Sequence, residues 1–461
     1  MLKQRKARQS RLGMDMTQGK MLPQILSFAG PLILTGILQL LYNAADVVVV
    51  GRFAGAQALA AVGSTGALIN LVVNLFTGVA TGAGVAVARA YGASDYRLIQ
   101  KSVHTAITLA VISGFAVLVL GQLLARPMLE WMDSPDDVID LTELYLRIYF
   151  AGMPASMLYN FGAAILRAVG DTKRPLYYLS LSGIVNVILN LILVIVFHMS
   201  VAGVAIATVI SQVISMVLVI ICLIRTDGAI HLDLRRLGID RGVALDMLRI
   251  GLPAGVQGMF FSISNVLIQS AVNSFGSVAM AGNAAAGNLE GFAYTAMNAF
   301  HQADVTVSSQ NLGAKKFTRV RRTIWLCLGC VTLAGLTVGG LLLAFGEPLL
   351  SLYNTDPEVI AYGMKRMLWF LPTYFLCGTM EVVSGQLRGI GYSLMPMIVT
   401  LTGVCAFRVL WLQTAFVAWP MLETVYVSYP ISWAMTTIAH LLCYLLIACR
   451  KMPKHDEPMP A

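Results

Sequence analysis

Residues Ile25 to Gly51 read ILSFAGPLILTGILQLLYNAADVVVVG, an apolar run broken by a single charge, Asp46. About 20 apolar residues in a helix cross the hydrocarbon core of a bilayer. A charge held deep in that core costs about 2.5–3.5 kcal/mol, so Asp46 must face a polar interior or a partner. Runs of this kind recur through all 461 residues, which are 57% hydrophobic and 12% charged, against about a quarter charged in soluble proteins. Only helices or a closed barrel satisfy the backbone in lipid. Unalternating runs exclude the barrel. The chain reads as an all-α polytopic membrane protein.

Twelve spans are expected, at 24–50, 57–84, 102–124, 138–164, 176–198, 200–224, 247–273, 277–305, 322–346, 358–385, 395–417 and 425–449. About 26 of the 32 Lys and Arg fall in the termini and in the loops after the even-numbered spans. The positive-inside rule then puts both termini in the cytoplasm; the expected location is the inner membrane of a bacterial cell. The net charge of +9 is spread by topology, not gathered for nucleic acid. The basic amino terminus precedes a run too long for the core of a cleavable signal. Seven cysteines begin at Cys222; the Cys327/Cys330 pair lies inside a span without a second pair, and reads as small buried hydrophobes.

The chain repeats itself at an offset of about 221 residues. AGPLILTG is echoed by GLPAGVQG (Pro31 with Pro253), YGASDYR by LGAKKFTR (Gly92 with Gly313), and LRAVGDTKRP by LRGIGYSLMP (Arg167 with Arg388). Six is even, so two six-span lobes share one orientation, as in transporters that expose a central site alternately. The domain reading is an arm at 1–20, a lobe at 21–224, a linker at 225–246, a lobe at 247–450 and a tail at 451–461.

This doubled set, with a span-one proline and acid, YGA and QNLGA after spans two and eight, and LRAxGDTKRP and LRGxG after spans four and ten, resembles the multidrug and toxic compound extrusion family. The likeness covers residues 20–450. It implies a twelve-helix secondary antiporter that exports cationic amphipathic compounds in exchange for protons or sodium ions. It further implies that the span-one acid works with polar groups on span five, and that Pro31 is a conformational hinge. Span five offers Asn186 and Asn190, four apart on one face. The family pattern has an aspartate at the second position; here Asn190 removes that charge, which weakens a sodium site and favours protons. Tyr42 and Asn43 precede Asp46 by one turn.

A family subgroup instead carries acids on spans seven and ten. The matching positions here are Phe261 and Cys377, so that coupling site is absent. The second lobe offers Glu290, Glu381 and Arg408 within spans, with Gln257, Asn265 and Gln269 on span seven. Glu381 and Arg408 are placed to form an ion pair; Glu290 and Glu381 are equally placed to receive a cationic substrate. His104, His301 and Asp304 read as solvated interfacial groups, Lys365 and Arg366 as snorkelling cations, and the arm to Lys20 as disordered. Gly78, Gly82 and Gly84 fit close helix packing and no phosphate loop.

The reading is therefore a monomeric, cation-coupled exporter of small cationic drugs, with the bilayer as its other partner. It needs no cofactor or bound metal beyond the coupling ion. The alternative is a flippase for lipid-linked oligosaccharides, whose cavity would be basic. An intramembrane enzyme lacks support, since no paired acidic motif, HExxH or nucleophile elbow is present.

Overall fold

A computed structural model describes residues 13–131, 136–450, 452, 453, 455 and 456. Among these, helices form twelve long segments: Met21–Phe53, Ala56–Gly92, Tyr96–Trp131, Asp136–Ala151 with Met153–Ala168, Lys173–Leu191 with a π-turn at Ile192–Val196, Ser200–Arg225, Arg241–Asn273, Ser277–Gly313, Phe317–Ala344, Pro357–Phe370 with Tyr374–Gly389, Leu394–Gln413, and Leu422–Arg450. Ten are long and apolar enough to cross a membrane. The fourth breaks at Gly152, ahead of Pro154, and the eighth is the polar span of Asn283, Glu290, His301 and Asp304. They are called spans one to twelve below.

The repeat is written into the backbone. Gly55 and Gly276 have φ of 90° and 95°, Ser94 and Lys315 of 54° and 56°, Gly170 and Gly391 of 87° and 97°. Each pair is separated by the sequence offset. After spans two, four, eight and ten the chain closes with the same bond from the third residue past the helix to its last turn: Asp95 N–H to the Ala90 carbonyl, Asp171 to Leu166, Lys316 to Asn311 and Tyr392 to Leu387. These are left-handed helix stops that return an orphan carbonyl to a donor. The YGA, GDT, LGA and GYS motifs are thus stop signals.

The chain divides into two compact units. Of the described residues, the first holds 13–15 and those of Ile37–Met259; the second holds Met16–Gly36 and those from Phe260 onward. Spans one and seven, each with an internal proline (Pro31, Pro253), contribute residues to both.

In the first unit, span two crosses span seven through glycines. A Cβ on Gly82 would sit 2.1 Å from the Met247 carbonyl oxygen, and one on Gly255 2.2 Å from that of Leu75. No side chain fits there, so the glycine run is a helix-crossing surface. Gly255→Leu is expected to force the crossing open and lose more than about 3 kcal/mol, the upper range for overpacking; a thermal melt in detergent matching the native protein would refute this. The linker after span six is pinned to span three: the Gln100 amide donates to the Ala229 carbonyl (2.7 Å), the Asp233 N–H to His104 Nε2 (3.2 Å), and Lys101 pairs with Asp240 (2.8 Å). His104 is therefore buried against the linker, not solvated. Lys101, then the Val243 N–H, holds the Asp240 carboxyl below the usual aspartate range.

The second unit corrects the reading of a disordered arm for residues 16–20. Met16 is fully buried. Its N–H donates to Gln310 Oε1 (3.1 Å), and its carbonyl accepts from Asn311 Nδ2 (3.1 Å) and Arg319 (2.8 Å). Lys316 donates to the Thr17 carbonyl and Arg319 to that of Gly19. The QN of QNLGA thus binds the backbone of the arm. In the first unit, residues 13–15 are likewise ordered, with Met14 against Gly170. The arm before residue 13 lies outside the described residues. Arg319→Ala removes charge-assisted bonds worth about 1.5–3 kcal/mol each, so trypsin cleavage at Lys20 is expected to quicken roughly tenfold or more.

Candidate functional site

In the first unit, spans one and five meet along one face. The Tyr42 ring lies over Gly183, where an added Cβ would be 1.9 Å from a ring carbon, and its hydroxyl donates to the Ser180 carbonyl (3.2 Å). One turn on, half-buried Asp46 accepts a short hydrogen bond from Asn190 Nδ2. Asn190 is fully buried, and the same nitrogen lies 3.4 Å from Asn186 Oδ1. Four of the five residues singled out for this site, Tyr42, Asp46, Asn186 and Asn190, therefore lie along one contact; Asn43 is exposed.

The electrostatics are simple. Among the described residues Asp46 has no ion-pair partner. Its one charge is met by an amide. Among the same residues the Asn190 side-chain oxygen has no hydrogen-bond partner. An amide offers a donor on one side and an acceptor on the other, so a half-turn of the Asn190 side chain serves either the ionised or the protonated acid. Among the described residues no three His, Cys, Asp or Glu cluster as metal ligands. Gln257, also in this unit, is buried with its side-chain oxygen unpartnered among the described residues.

Pro31 falls in the second unit. Span one continues through it, and Thr35 Oγ1 donates to the Pro31 carbonyl (2.7 Å). The ring removes one backbone donor at that turn.

The polar groups of the second unit sort differently from expectation. Arg366, read as a snorkelling cation, turns inward. It grips Glu290 with two bonds of 2.8 and 2.7 Å, donates to Asn283 (2.5 Å) and lies over the Phe370 ring. Asn283 in turn donates to Gln269 and accepts from Tyr426. Glu290 and Gln269 thus belong to one satisfied network. The signal was present in the sequence: a buried carboxylate demands a cation, and Arg366 was available.

The expected Glu381–Arg408 ion pair does not form. Arg408 is fully buried over the Tyr429 ring (3.9 Å), donates to Ser432 (3.0 Å) and reaches Asn265 (3.4 Å). Among the described residues it meets no carboxylate. The aromatic faces of Tyr429 and Trp433 take that place. Glu381 instead lies beside His301 (4.0 Å). His301 and Asp304, read as interfacial, are both buried.

The sequence profile of the MatE family matches residues 31–192 and again 253–411, one copy per repeat. The chain is 27% identical over 422 residues to the probable multidrug resistance protein YoeA of Bacillus subtilis, covering 89% of this chain and 90% of that one. It is 26% identical over 394 residues to the probable multidrug resistance protein YpnP of the same organism, covering 86% and 88%. Its fold matches a MOP superfamily transporter from Pyrococcus furiosus with a TM-score of 0.88 at 21% identity, covering 95% of this chain and 98% of that one. With the doubled motifs, the doubled stop signals and twelve helices in hand, the chain belongs to the MatE family of multi-pass multidrug efflux transporters.

Proposed function

We propose that this protein is a secondary antiporter that exports cationic, amphipathic compounds in exchange for protons, with Asp46 as the coupling group. The observation that supports this is a span-borne acid that, among the described residues, is held by an amide and no cation. A carboxylate locked to arginine could not change its charge during a cycle; one held by Asn190 can. Protonation removes the charge that attracts a cationic substrate, and loss of the proton restores it, so ion and cargo alternate on one site. A proton is favoured over sodium because the partners are amides, where a sodium ion prefers several oxygen ligands, charged ones above all. Pro31 serves as the hinge in this reading. Both termini face the cytoplasm of a bacterial inner membrane, and the monomer is the working unit.

Reconstituted protein tests it, with ethidium as the monovalent cationic probe. An outward-directed ethidium flux driven by an imposed pH gradient, indifferent to sodium, is the expected result. Flux that follows a sodium gradient instead would transfer the site to sodium. Absence of ethidium flux, with movement of a labelled lipid-linked oligosaccharide, would replace the export reading with the flippase.

A further inference from the structure

The second unit carries a buried acid that the coupling site does not use. Asp304 on span eight has no exposed surface. Among the described residues, neither of its carboxyl oxygens accepts a hydrogen bond. The Cys327 thiol of span nine stands beside it without the geometry of one. An ionised carboxylate without a partner in such surroundings carries a large desolvation cost.

His301 lies one turn before Asp304 on the same helical face and is itself buried. Its Nδ1 is 2.6 Å from the Glu381 carbonyl oxygen and 4.0 Å from Glu381 Oε2. Gly385 of span ten admits the ring, since a Cβ there would be 2.7 Å from Nδ1. The Glu381 side chain keeps about 20% of its surface exposed. Among the described residues, the other titratable or charged groups near this cluster are Tyr294 on span eight, Cys327 and Cys330 on span nine, Cys377 and Arg388 on span ten, and fully buried His440 on span twelve, which interacts with Glu381 and Arg388.

We propose that Asp304 is a second proton-binding site, belonging to the second unit and exchanging with water through His301 and Glu381. Its proton passes to His301 Nε2 and leaves an Asp304 carboxylate. The imidazolium then gives its Nδ1 proton to the Glu381 carboxylate, which releases it to water. The emptied carboxylate is charged and left with the Nε2–H that His301 has gained and the weak Cys327 donor, so losing the proton favours a different packing of spans eight to ten. Occupancy of this site therefore biases conformation. The proposal rests on the proton-coupled reading above and adds a second proton to its cycle.

The test is an infrared difference titration of the full-length protein in lipid, following the carbonyl stretch of neutral carboxylic acids. Asp304→Asn is expected to remove one pH-responsive band, and Asp46→Asn a different one. His301→Gln is expected to slow hydrogen–deuterium exchange of the Asp304 band at least tenfold. Cys327→Ser, which sets a stronger donor beside the group, should shift that band, so the assignment does not hang on Asp304→Asn folding. A spectrum in which neither Asp304→Asn nor Cys327→Ser alters any band overturns the site. So does a band that stays constant at every pH where the protein remains folded, since that marks a permanently neutral structural group. If instead Asp46→Asn removes no titrating band, the coupling reading fails while the Asp304 result stands by itself.

Discussion

Asp46→Asn is expected to reduce pH-driven ethidium exchange in proteoliposomes to the level of empty vesicles, with the protein still folded. The asparagine has the shape of the protonated acid but no proton to release. A coupling ion shifts a conformational equilibrium only through its different affinity for the two states, and the substituted amide has no affinity for a proton in either. Folding should survive because Asn190, the group that donates to Asp46, can turn its amide to suit a neutral partner. A second substitution separates charge from geometry. Asn190→Asp restores the second acid of the family pattern and sets two carboxyl groups in contact. Like charges that close cannot both ionise easily, so half-maximal exchange should move to higher pH. Undiminished exchange in Asp46→Asn would remove this residue from the cycle. An unshifted pH profile in Asn190→Asp would show that the hydrogen bond between them is incidental.

The largest effect on stability is expected at Glu290 and Arg366. Their side chains are 5% and 13% exposed and joined by two parallel hydrogen bonds. Removing one partner of such a pair strands the other charge and costs about 3–5 kcal/mol. Glu290→Gln should therefore melt far below the native protein. Arg366→Gln should fall further, because Arg366 also holds Asn283 and covers Phe370. Replacing both with leucine should cost less than the sum of the singles, since no buried charge remains. If Glu290 were instead a substrate ligand, Glu290→Gln would keep its melting temperature and lose ethidium binding. Thermal unfolding and binding measured on the same detergent sample distinguish the two.

How far each feature could be read in advance depended on how local its cause is. The span lengths, the basic loops and the doubled motifs follow from hydropathy and spacing along the chain. The repeated motifs YGA, GDT, LGA and GYS were legible as echoes, but that they end helices in left-handed turns after spans two, four, eight and ten came from the backbone. Asn186 and Asn190 could be placed on one face by helical period alone. The arm was misread because its polar, basic composition looks solvated, whereas its backbone is what Gln310, Asn311 and Arg319 bind. Backbone groups carry no signature in a sequence.

The sequence by itself determined the all-helical membrane architecture, its internal repeat and the isolation of Asp46 within an apolar run. Those depend on transfer from water to lipid, which acts on each stretch almost independently of the others. Only the tertiary structure decided the partners. It gave Glu290 to Arg366, left Arg408 to aromatic rings, set His301 beside Glu381 and, among the described residues, left the buried Asp304 oxygens without a hydrogen-bond partner. A buried charge needs compensation, but several groups in the lobe could supply it, and helix packing selects which one comes within reach.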